Sequence, residues 1–247
     1  MDKARPFYRA MAAAALASLA VPALLMPQTP GDPAEDYRVI FGERYADAEK
    51  YLADSPWIAE ALRLPPEETR IALAVVFPEL IRYSYLQDKI QVRALKVLYV
   101  QYGRKYANFS VGRFQMKPSF IEQLEADWNA LLSEEEKTAA GLPSFVPGET
   151  SERRQDRILR LESIRWQVGY LRIFMAVMAK RYANAVFGGV EDRLRFYATA
   201  YNAGYAAGWA RLRKRMPERH FHLELFSPER TYPYADIALF YFRRSES

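Results

Sequence analysis

Apolar positions recur at intervals of three and four along most of this chain, which predicts helices rather than strands. Tyr37, Ile40, Phe41, Tyr45, Ala48 and Leu52 fall on one face of a helix, and a second short helix is expected from Trp57 to Leu62. Pro65 and Pro66 open the next helix where proline is tolerated, with Glu67 and Glu68 in its first turn. Its body, Ile71 to Phe77, is apolar nearly all round, so this helix should be central, and Pro78 should kink or fray it. Ile90, Ala94, Leu95, Leu98 and Tyr99 mark a further helix that stops at Gly103, with Asp88 as its expected N-cap. Phe120, Ile121, Leu124, Trp128 and Leu131 mark another after Pro118.

Ser133 and Glu136 have the spacing of a capping box, and Gly141 to Gly148 reads as a loop. An amphipathic stretch over 152–182 carries Ile158, Leu161, Val168, Leu171, Phe174 and Met178, and shorter helices are expected around 192–200, 206–216 and 234–242. No run alternates as a strand would, and no repeat is present. The pattern predicts an all-α chain, or nearly so.

Composition narrows the class. With 247 residues, 50% of them hydrophobic, the chain can bury a substantial core, which excludes a disordered protein. The absence of cysteine excludes disulfides, thiolate metal sites and a cysteine nucleophile. Lys3, Arg5 and Arg9 precede an apolar run of small residues over 10–26, as in a secretory signal, with Ser18-Leu19-Ala20 and Val21-Pro22-Ala23 as cleavage sites; the other reading is an uncleaved anchor. Either places the remainder outside the cytoplasm. The net charge of +5 then favours an anionic wall over nucleic acid.

Three segments have chemistry to offer. Glu79 lies among Phe77, Pro78, Leu80 and Ile81, and a carboxyl group with apolar neighbours holds its proton towards neutral pH, as a general acid must. In Ser110-Val111-Gly112-Arg113-Phe114-Gln115-Met116-Lys117-Pro118, Gly112 permits close backbone approach and Gln115 offers both a donor and an acceptor. In Ala200-Tyr201-Asn202-Ala203-Gly204 a helix ends in Asn and Gly. His220 and His222, two apart with no clear carboxylate partner, are too weak a pattern for a metal site.

In this order the three segments resemble the lytic transglycosylases of the soluble transglycosylase group, relatives of goose-type lysozyme. The match runs through Glu79, Gly112-Arg113-Phe114-Gln115, Ala200-Tyr201-Asn202-Ala203-Gly204 and, in the last helix, Tyr234 with Ile237; the region 167–182 is similar to the helix that precedes the Ala-Tyr-Asn-Ala-Gly segment in the family. The resemblance implies a lysozyme-like helical domain over 65–247, with insertions around 86–105 and 129–152, after a leader over 1–26 and a helical extension over 27–64. It implies a groove for peptidoglycan glycan strands, no cofactor and no metal. Glu79 would be acid and then base, leaving a 1,6-anhydro end on muramic acid. Ser110, Phe114, Gln115, Tyr201 and Asn202 would bind substrate, and Tyr234 would hydrogen-bond Glu79. Leu80 departs from the Ser or Thr expected after the acid, a role that falls to Ser84 or to the second motif unless activity is weakened. The alternatives are a hydrolytic lysozyme on the same fold and a non-catalytic wall-binding component of an envelope apparatus, whose further partners are unknown.

Overall fold

The computed structural model describes residues 35–83, 89–223 and 230–245, with side chains from 93 onward in the second segment. The expected leader, Ser84 and the Asp88 cap lie outside the described residues. What is described from Asp36 onward is one unit, and it is all-α apart from a two-stranded antiparallel ribbon, β1 (Arg219–Phe221) with β2 (Tyr232–Pro233). Among the described residues no helix is long and apolar enough to cross a membrane.

The first apolar stripe is divided between α1 (Tyr37–Phe41) and α2 (Glu43–Ala53) by Gly42, whose φ of 53° breaks the helix. Tyr37, Phe41, Tyr45, Ala48 and Leu52 are nevertheless all buried, so the stripe survives the bend. After α3 (Trp57–Leu62), α4 (Pro66–Tyr83) starts at its proline as expected but does not end at Pro78: it runs through it to Tyr83. Ile71, Val75, Phe77 and Ile81 are fully buried on it, and each such side chain contributes about 1.5–3 kcal/mol of burial. The expected extension over 27–64 is no appendage where it is described. Its helices share the core, with α2 against α4, α3 against the later helix Ile164–Arg181, and Tyr45 edge-on to Phe77 at 4.9 Å.

Two groups of helices flank α4. On one side it packs against α10 (Val190–Ala203) and α12 (Tyr234–Arg244), and Phe77 stacks on Tyr241 at 3.9 Å. On the other, α9 (Ile164–Arg181) packs against α6 (Pro118–Leu131) and α8 (Ser151–Glu162), and α8 also carries α5 (Lys89–Tyr102). The expected stretch over 152–182 is therefore two helices, broken at Ser163, whose backbone is extended. Between α6 and α8 lies α7 (Glu134–Ala140), with its capping box formed and Gly141 in the left-handed conformation at its end. A short 3-10 turn and α11 (Trp209–Arg215) lead from α10 to the ribbon.

Candidate active site

Helix α4 carries Glu79 in its last turn and a half, and the residue is only 4% exposed. Pro78 has no N–H, so this turn lacks one helical donor. A tertiary contact holds it: the Tyr234 hydroxyl, at the start of α12, donates to the Val75 carbonyl at 2.8 Å. This corrects the expectation that Tyr234 bonds the Glu79 carboxyl. Tyr234 supports the backbone that carries the acid and does not line the cavity.

Because the helix continues, Arg82 lies one turn beyond Glu79 on the same face, and its Nη1 donates to Glu79 Oε2 at 3.2 Å. The Arg82 guanidinium also sits over the Phe221 ring, 4.4 Å from its centroid. Leu80, in the position where the resemblance calls for a hydroxyl, is buried. Burial drives the Glu79 carboxyl above the ordinary glutamate range, and the positive charges of Arg82 and Lys117 oppose the shift without overcoming it. The hydroxyls of Tyr201 and Tyr234 are held far above their usual range, first by burial and then by the Glu79 charge.

The second motif is a tight hairpin. Val111 and Met116 exchange both backbone hydrogen bonds, at 3.0 and 3.1 Å, and the Gln115 N–H donates to the Gly112 carbonyl. Gly112 has φ 72°, and a Cβ there would lie 1.9 Å from Gln167 Nε2, so both conformation and space require glycine. Buried Gln167 on α9 clamps the loop, accepting from the Phe114 N–H at 2.8 Å while its Nε2 donates to the Leu161 carbonyl. From the opposite side the Tyr201 hydroxyl donates to the Phe114 carbonyl at 2.8 Å. Phe114 is therefore no substrate ligand: its ring is fully buried and both of its backbone polar groups are taken.

The clamp presents Gln115. Its φ of 49° is unusual for a residue with a side chain. Gln115 Nε2 donates to the Gly112 carbonyl at 2.7 Å, while Oε1 is buried with no hydrogen-bond partner. An unsatisfied buried acceptor costs about 1–3 kcal/mol, so this oxygen is set for an N–H or O–H brought by a ligand.

Glu79, Ser110, Gln115, Tyr201 and Asn202 line one cavity of about 380 Å³, within the size range of small-molecule sites. They come from α4, the hairpin and the end of α10, where Gly204 terminates the helix at φ 89°. Arg82, Arg104, Asn108, Lys117, Phe120 and Gln123 also line it and were not expected from the sequence. Arg82 had a signal, three residues after the acid, that only a helix continued through Pro78 makes meaningful. Gln167 had none, because its role depends on a contact with a segment some fifty residues away. Among the described residues Glu79 is the one carboxylate that lines this cavity, and no group of three or more His, Asp or Glu is placed to hold a metal. His220 instead contacts Glu218, at 3.0 Å.

Comparison with protein-family models, with curated proteins and with solved structures found no match to this chain.

Proposed function

We propose that this chain is a lytic transglycosylase that cleaves the β-1,4 bond between N-acetylmuramic acid and N-acetylglucosamine in peptidoglycan. The observation that carries the reading is a buried carboxyl with a raised pKa, opening with neutral amide and hydroxyl side chains onto one cavity. Three segments that follow one another in the order of the lytic transglycosylases, those of Glu79, of Ser110 to Gln115 and of Tyr201 to Gly204, line that one cavity, which supports a lysozyme-like arrangement.

Protonated Glu79 gives its proton to the glycosidic oxygen as the bond from that oxygen to C1 of muramic acid breaks. The resulting carboxylate takes the proton of the muramic acid 6-hydroxyl, and O6 bonds to C1 to close the anhydro ring. Glu79 ends protonated, and no water is consumed. One acid therefore suffices, whereas most glycosidases use two carboxylates flanking the bond. Arg82 stabilises the carboxylate between the two proton transfers. Gln115 Oε1 accepts from an acetamido N–H of the sugar, and Asn202 and Ser110 hold neighbouring polar groups. Work on peptidoglycan outside the cytoplasm fits the export segment expected at the N-terminus.

The test is digestion of purified murein followed by mass analysis of the soluble products. The proposal expects 1,6-anhydromuropeptides, lost with Glu79→Gln. Products ending in reducing muramic acid would identify a hydrolytic lysozyme, and no release by correctly folded protein would favour a non-catalytic wall-binding role.

A further inference from the structure

A second cavity, of about 420 Å³, lies beside the first. Arg104 and Gln123 line both, so the two adjoin across these side chains. Their linings differ. The first surrounds one acid, Glu79, with the amide and hydroxyl groups that a sugar requires and with the cations Arg82, Arg104 and Lys117. The second is lined by Arg104, Lys105 and Arg154 together with Glu122 and Glu149.

These charges are not equally committed. Arg154 is spent on main-chain carbonyls, with its Nε donating to Val100 at 2.8 Å and Nη2 to Gln101 at 3.0 Å. Arg104 makes one ion pair, to Glu122 at 3.1 Å, and its side chain remains 55% exposed. Lys105 is exposed and has no ion-pair partner among the described residues. Glu149 contacts Arg157, yet its side chain is half exposed. The second cavity thus presents two cations with free hydrogen-bonding capacity, Arg104 at its junction with the first and Lys105, together with a carboxylate accessible to solvent.

Resting on the glycan-cleaving reading above, we infer that the second cavity binds the acidic peptide substituent of the muramic acid whose bond is cut at Glu79. Carboxylates of the peptide pair with Arg104 and Lys105, and an amino group further along it meets Glu149. The substituent leaves the sugar next to the scissile bond, and a cavity adjoining the first at Arg104 and Gln123 is placed to receive it. These residues belong to the end of α5, the turn after it, α6 and the segment before α8. The first two lie in the region that the resemblance treats as an insertion, which gives that insertion a purpose: selection of glycan strands that still carry their peptides.

The full chain bearing Glu79→Gln serves as a non-cutting binder in calorimetric titrations with two probes: glycan fragments that retain their peptides, and the same fragments after enzymatic removal of the peptides. The expected result is an affinity about tenfold higher for the peptide-bearing fragments at low salt. That advantage should shrink as salt rises and disappear when Arg104→Gln and Lys105→Gln are added, two substitutions at exposed side chains with circular dichroism confirming the fold. Equal affinity for both probes, or an advantage indifferent to the double substitution, would overturn the inference while leaving the glycan site intact. Binding of neither probe would overturn the glycan reading and this inference with it.

Discussion

Among the described residues two glutamates are buried, one on α4 and one on α6, and the protein treats them in opposite ways. Glu125 on α6 is 6% exposed and saturated. Its Oε2 accepts from Arg157 Nε and Nη2 at 3.0 and 2.7 Å, and its Oε1 from the Tyr170 hydroxyl at 2.6 Å and from Arg160 at 3.3 Å. Arg157 is itself shared with the Tyr99 hydroxyl, which also donates to Glu122. Glu79 on α4 is equally buried, but Arg82 is its one hydrogen-bond donor among the described residues, and it faces a cavity. A buried charge is tolerable when fully paired and costly when not. The first arrangement fastens α6 to α8 and α9. The second leaves a carboxyl whose proton is easily kept and easily given, and the unpartnered Gln115 oxygen lies in the same cavity.

The comparison can be broken by exchanging the two acids for their amides. Glu79→Gln should fold normally and lose about 10²–10⁴-fold in cleavage rate, the range for a general acid–base group. Glu125→Gln should do the reverse, costing about 3 kcal/mol of stability because buried Arg157 loses its closest charge partner and keeps only Glu149 and the more distant Glu122, with the surviving folded fraction still cutting. Denaturant unfolding and murein release on the two variants separate these outcomes, and activity loss tracking Glu125 instead would invert the assignment.

Two smaller effects sharpen it. Removing the hydroxyl that supports the Pro78 turn, as Tyr234→Phe, should cost about 1 kcal/mol and slow cleavage less than Glu79→Gln does. An effect as large as that of Glu79→Gln would mean that the hydroxyl serves the chemistry directly. The pH dependence follows from the direction of the Glu79 shift. Folding raises its pKa, so the folded state has its full stability below the ordinary glutamate value and loses part of it as pH rises through the folded value. Glu79→Gln removes that loss. Thermal unfolding of variant and parent should therefore diverge in the variant's favour towards alkaline pH and converge in acid.

The helical framework was legible where local chemistry marks it. Pro66 and Pro118 start α4 and α6, Ser133 and Glu136 form their box, and Gly141 and Gly204 end helices. The breaks at Gly42 and Ser163 were not, because the apolar stripe runs on across both and periodicity reports the buried face, not continuity of the backbone. At Pro78, where a kink or fray was expected, the helix runs on to Tyr83. A proline penalty is local, but the helix that pays it is held by Tyr234, which bonds Val75 from 159 positions along the chain. In the site, Glu79, Ser110, Gln115, Tyr201 and Asn202 could be named from three separated motifs. The Gln167 clamp that buries Phe114 and turns Gln115 outward is tertiary and has no local signature.

The central claim is that Glu79 is an acid poised by its burial, and the most direct measurement is an NMR titration of its carboxyl carbon, assigned by difference from Glu79→Gln, alongside the pH profile of murein cleavage. The account predicts a midpoint above the ordinary glutamate value and a cleavage rate that falls on the alkaline side as the same group ionises. A midpoint in the ordinary range, with a cleavage profile that ignores it and survives Glu79→Gln, would contradict the account.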